Sequence, residues 1–117
     1  MIKRILDDLV TEGSEVQAAI FLDGEGETIG QSGDRDVDIQ LIGAWKEIHL
    51  DQIKDISKRL KLGKVHAVLF SLDKGQELVV PVADEYCLVL FLSVNANYRV
   101  ALNKAREAVE RLIKDIG

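Results

Sequence analysis

The chain has 117 residues, 47% of them hydrophobic and 30% charged, with a single proline and few aromatics. That excludes intrinsic disorder and collagen-like or linker composition, and the length suits one domain spanning residues 1–117. The net charge of -5 is unevenly placed: from Glu12 to Asp38 eight acidic residues face Arg35 alone, while six basic residues outnumber three acidic ones from Gly43 to Lys64, too mild a basic block to mark a nucleic-acid-binding stripe.

In chain order, Ile2, Ile5, Leu6, Leu9 and Val10 recur at helical spacing and predict an amphipathic helix of about three turns, ended by Gly13-Ser14. Val16 to Asp23 reads as a strand. Gly24-Glu25-Gly26 then makes a hairpin turn into a second strand, Glu27 to Gln31, which Ser32-Gly33-Asp34 closes. A long helix is expected from Val37 to Leu62, capped by Asp36 or Asp38 and stopped at Gly63. Its apolar stripe is Leu41, Trp45, Ile48, Ile53, Ile56 and Leu60, with Gly43-Ala44 near its start, and Lys58, Arg59 and Lys61 suit the negative end of its dipole. Val65 to Leu72, Gln76 to Val82 and Tyr86 to Ser93 are joined by short turns and predict an antiparallel meander. Pro81 belongs at a strand end, an edge or a bulge, because it donates no ladder bond. Asn95 or Asn97 caps a last helix whose stripe runs from Tyr98 to Ile116. The order α-β-β-α-β-β-β-α gives an α/β sandwich of the α+β class. Its five-stranded antiparallel sheet carries the long central helix on one face and the two terminal helices on the other.

The strands are apolar on both faces, Tyr86 to Leu92 without interruption, so helices must cover both sides. Five strands at ~4.8 Å make a sheet roughly 24 Å wide, and one helix covers only about 10–12 Å. A single helix therefore leaves half of one face bare, and a second copy of the chain is the simplest cover. The expected homodimer interface comprises Leu41, Gly43, Ala44, Trp45, Ile48, Ile53 and Ile56 of the long helix with Val65 and Ala67 of the third strand. Small Gly43-Ala44 would let two helices approach closely; its alternative role is to tolerate a kink.

Little points to chemistry. Gly24-x-Gly26-x-x-x-Gly30 is misspaced for a phosphate loop, lies between strands, and carries Glu25 and Glu27. Gly63-Lys64 is followed by Val65, not Ser or Thr, so the nucleotide-hydrolase loop is missing. His49 and His66 stand on different elements and Cys87 lies in the most apolar strand, so neither metal nor cofactor nor nucleophilic catalysis is expected. The lone cysteine, a first segment unlike a signal peptide, and apolar runs far short of a membrane span make a cytoplasmic protein the expectation, without membrane or nucleic-acid partners. What remains is the charged outer face of the long helix. There Lys46, Asp51, Lys54 and Lys58 mix signs and Asp55 to Arg59 suits an i,i+4 pair. Such a face is normally solvated, and it is also the kind of rim that a folded protein partner reads.

The opening hairpin Ala18-Ala19-Ile20-Phe21-Leu22-Asp23-Gly24-Glu25-Gly26, the long central helix, Glu77-Leu78-Val79-Val80-Pro81-Val82, and Ala96-Asn97 before the last helix resemble the Roadblock / dynein light chain family. Within that family the likeness is to the MglB-like bacterial regulators of Ras-like GTPases, and it spans about Val16 to Leu112. The family often has Ala-Asn-x-Gly with a later Arg; here Arg99 and Leu102 stand at the Gly and Arg positions. The resemblance implies a homodimer paired through the central helix and third strand. It also implies a partner, a Ras-like small GTPase, that the dimer stimulates or scaffolds, generally without donating an arginine finger.

Overall fold

Turn chemistry and alternating apolar residues divide the chain into its elements in the computed structural model, which describes residues 1–11, 15–33, 50–83 and 85–116. They are α1 (Ile2–Leu9), β1 (Val16–Leu22), β2 (Thr28–Gly33), a helical stretch α2 (50–59), β3 (Val68–Leu72), β4 (Gly75–Val82), β5 (Tyr86–Leu92) and α3 (Tyr98–Ile116). The strands form one sheet in the order β2-β1-β5-β4-β3, every neighbour antiparallel. The expected α+β sandwich is therefore present, with β2 and β3 at its edges.

Two cores flank the sheet. On one face α1 (Ile5, Leu6, Leu9) and α3 (Ala101, Ala105, Ala108, Leu112) cover Phe21, Leu78, Val80, Leu88 and Leu90. Alanine at one-turn spacing lets α3 lie close to the strands. On the opposite face Leu50 of α2 meets Ile20, Leu22, Val79, Cys87 and Val89. Cys87 is thus a small buried core residue, as its apolar strand foretold.

Local polar contacts fix the connections. The Asp23 carboxylate accepts from the Glu25 and Glu27 amides at 2.9 and 3.0 Å, closing the β1–β2 hairpin as an Asx turn with Gly26 at φ 80°. Asn97 caps α3, its Oδ1 accepting from the Arg99 amide at 3.0 Å. The Asp7 carboxylate accepts from Lys3 Nζ at 2.7 Å and from Ser32 Oγ at 2.6 Å, tying α1 to β2. Those two bonds, Lys3's first, favour the charged form and hold Asp7 below the ordinary carboxylate value of 3.8.

Several boundaries differ from the sequence expectation. Helix α1 spans 8 residues, shorter than three turns: Val10, the last residue of the stripe, is its C-cap and still packs on the core, and the Thr11 hydroxyl donates to the Asp8 carbonyl at 2.9 Å. The expected stop at Gly13-Ser14 lies outside the described residues. Ser32 and Gly33 belong to β2, pairing with Ala19 and Ala18, rather than to a closing turn. Strand β3 begins at Val68, so residues 65–67 are connector. Pro81 stands one residue before the end of β4, opposite Cys87 of β5 and beyond the reach of β3, which pairs only as far as Val79, so it sits at a strand end. The segment 34–49, which holds the expected Leu41, Gly43, Ala44, Trp45, Lys46 and Ile48, lies outside the described residues.

Candidate protein-binding surface

Helix α2, over its described residues, buries its first side chain and exposes most of those that follow. Leu50 is inserted in the core and Ile53 is half-buried. Along the same stripe, however, Ile56 is 55% and Leu60 63% exposed. Beside it β3 ends the sheet with an edge that no described strand pairs. That edge, Val-Leu-Phe-Ser-Leu, carries neither the charge nor the proline that usually blunts a sheet edge, and Leu72 on it is half exposed. Single exposed apolar residues are ordinary, but an apolar helix stripe and an unblunted strand edge on one molecule are features of an interaction surface.

The end of α2 is built unusually. The Leu62 amide donates to the Ser57 carbonyl at 2.9 Å and the Lys61 amide to the Lys58 carbonyl at 3.2 Å, the crossed pair of bonds that closes a helix through a left-handed residue. That residue is Lys61, at φ 58°, not the expected Gly63. A non-glycine side chain there costs roughly 1–2 kcal/mol. Gly63 supplies a second left-handed step at φ 93°, and the two reversals turn the chain across the end of the sheet. Val65 then packs on the α2 side and Ala67 against the α1–α3 core. Neither stands on the β3 edge where the alternating sequence placed it.

This turn shapes a cleft of about 890 Å³. Lys54 and Lys58, one turn apart on α2, line it together with Lys61, Lys64 and His66 of the connector. Its apolar wall comes from Val65, from Pro81 and Ala83 at the end of β4, and from Val109 and Ile113 on α3. Ala83, at φ 53°, and Lys61 are the two non-glycine residues with positive φ among the described residues, and both line this cleft. Asp51 lies instead in a neighbouring cleft with Asp23, Glu25 and Glu85, which Lys54 also borders. The structure thus brings Lys54 and Lys58 together and assigns Asp51 to a separate, acidic hollow. The anticipated Asp55–Arg59 pair forms, Arg59 Nε to Asp55 Oδ2 at 3.2 Å. Lys61, Lys64 and His66 were not singled out from the sequence as a binding set. Their signal was the positive block from Gly43 to Lys64, which helix-dipole reasoning had absorbed.

Among the described residues no three His, Cys, Asp or Glu side chains gather as metal ligands, and no helix is long and apolar enough to cross a membrane.

No protein-family model matches the sequence, and neither does any curated protein sequence. The folded chain does find its like among solved structures. MglB of Myxococcus xanthus superposes with a TM-score of 0.90 at 14% identity, over 98% of this chain and 94% of that one. A Roadblock/LC7 domain from Streptomyces avermitilis gives 0.88 at 16% identity, over 97% and 96%. The chain has the Roadblock/LC7 fold. The gliding protein MglB of Thermus thermophilus shares it, with a TM-score of 0.84 at 13% identity over 97% of this chain and 86% of that one. Within the Roadblock/LC7 fold, this chain's α2 stripe and β3 edge present exposed apolar side chains, Ile56, Leu60 and Leu72, and the lysine cleft lies where α2 turns toward β3.

Proposed function

We propose that the protein is a homodimeric regulator of a Ras-like small GTPase that works by protein–protein binding without catalytic residues of its own. The observation that carries this reading is the likeness of nearly the whole chain to MglB in fold, joined to the family resemblance of its hairpin, fourth strand and last-helix start. Support for the dimer comes from the exposed apolar side chains Ile56 and Leu60 and from the β3 edge, which no described strand pairs. In this reading Leu41, Gly43, Ala44, Trp45, Ile48, Ile53, Ile56 and Val65 contribute to the paired surface. Ala67, turned toward the other core, contributes only through its backbone. Lys46, Asp51, Lys54 and Lys58 are assigned to the GTPase.

The test is calorimetric titration of Ras-like GTPases from the same cell, each loaded with GDP and with a non-hydrolysable GTP analogue. Binding that depends on the nucleotide is expected; absence of binding to every one of them in either state would overturn the reading. The second reading, a scaffold or subunit of a larger assembly, predicts binding that ignores the nucleotide and leaves hydrolysis at its intrinsic rate.

A further inference from the structure

We infer that the lysine cleft at the end of α2 is a docking site for an acidic peptide segment of a partner protein, one with an apolar residue set among carboxylates. Lys54, Lys58, Lys61 and Lys64 converge on one concavity, and no described carboxylate lines it or pairs with them. Lys54 also borders the acidic hollow, so the excess of one sign rests on Lys58, Lys61 and Lys64, and in a chain of net charge -5 it attracts anionic groups. The wall opposite is apolar, made by Pro81, Val109 and Ile113, and Ile113 is 43% exposed, so an incoming aliphatic side chain would bury what is now in contact with water. The volume, about 890 Å³, holds a few side chains rather than a folded domain.

The chemistry favours carboxylates on a peptide over the other polyanions. The described lining contains no Phe, Tyr or Trp, its one ring being the small His66 imidazole, a minimal platform for a base, and no guanidinium to grip a phosphate in two places. The apolar groups line the wall of a concavity, whereas a membrane surface requires a projecting apolar face. Lys61 sits in a backbone conformation that glycine adopts without strain, and it lines the cleft from there. The site shares Lys54 and Lys58 with the face assigned above to the GTPase. It stands without that reading, because any partner bearing such a segment satisfies it and its test contains no GTPase.

The experiment is fluorescence anisotropy of the full chain with a labelled hexapeptide of glutamates carrying two leucines. Saturable binding is expected, weakened at least tenfold by the double variant Lys58→Glu/Lys64→Glu and unchanged by Lys74→Glu in the distant β3–β4 turn. Because a charge reversal could disturb folding, a second peptide with serines for the leucines is titrated against the unaltered protein, and it should bind at least tenfold more weakly. The proposal is overturned if the leucine peptide fails to bind, or if the serine peptide binds equally well. It is also overturned if a single-stranded oligonucleotide or phosphatidylserine vesicles bind more tightly than the leucine peptide.

Discussion

Replacing Ile56 and Leu60 together by serine separates the folded protomer from its assembly. Both side chains are more than half exposed, at 55% and 63%, so in an isolated protomer the change should move unfolding free energy by no more than about 0.5 kcal/mol per site. In a dimer the remaining area is covered. Full burial of an Ile or Leu side chain contributes roughly 1.5–3 kcal/mol, so each still has about 1–1.5 kcal/mol to gain. Two such residues on each of two protomers amount to about 5 kcal/mol, on the order of 10³–10⁴-fold in the dissociation constant. Sedimentation velocity over a dilution series should show a dimer for the unaltered chain and a monomer for the double variant at the same concentrations. Circular dichroism should show the same fold in both. A native chain that is monomeric throughout, or a double variant that dimerises equally well, would refute the assignment of this face.

Two further substitutions test the frame that holds the face. Gly33 and Gly63 share a left-handed backbone, φ 96° and 93°, but a Cβ on Gly33 would strike the Gln17 carbonyl oxygen and come within 2.7 Å of Ala18 Cα, whereas one on Gly63 meets nothing within 4 Å. Gly63→Ala should therefore cost only the roughly 1–2 kcal/mol of the backbone conformation. Gly33→Ala should cost about 3 kcal/mol or more in urea unfolding, because β2 must shift off β1; equal losses would contradict the described hairpin. Asp7 is depressed by Lys3 and Ser32, so its contribution is fully present above the ordinary carboxylate value and lost as pH falls through the lowered folded value. Asp7→Asn should flatten the loss of stability as pH falls through and below the ordinary carboxylate value of 3.8, and an acid limb as steep as that of the unaltered chain would contradict the α1–β2 tie.

Much of the fold was legible in the sequence because its determinants are local and periodic. The α3 stripe, Asn97 as cap, the Asp23 hairpin and the doubly apolar β5 each follow from residues within a few positions of one another. The β3 boundary was not legible: Val65 and Ala67 alternate like strand residues, but the left-handed pair Lys61 and Gly63 sends them to opposite sides of the sheet. Glycine marked the helix stop two residues late, since the true left-handed cap is a lysine, a choice that backbone preference argues against. For the same reason the lysine cleft stayed hidden. Its walls come from α2, the connector, the end of β4 and α3, and no spacing rule joins residues 54 and 113. The width argument needs no contacts, only a count of strands against helices, and the pairing that it leads to is what the dilution series above tests.

The most direct measurement is single-turnover phosphate release from a Ras-like GTPase that binds the chain, with and without saturating protein. The account predicts at least tenfold acceleration, lost in the Ile56→Ser/Leu60→Ser variant that no longer pairs. Release at the intrinsic rate with every GTPase that binds, together with binding that ignores the bound nucleotide, would contradict it.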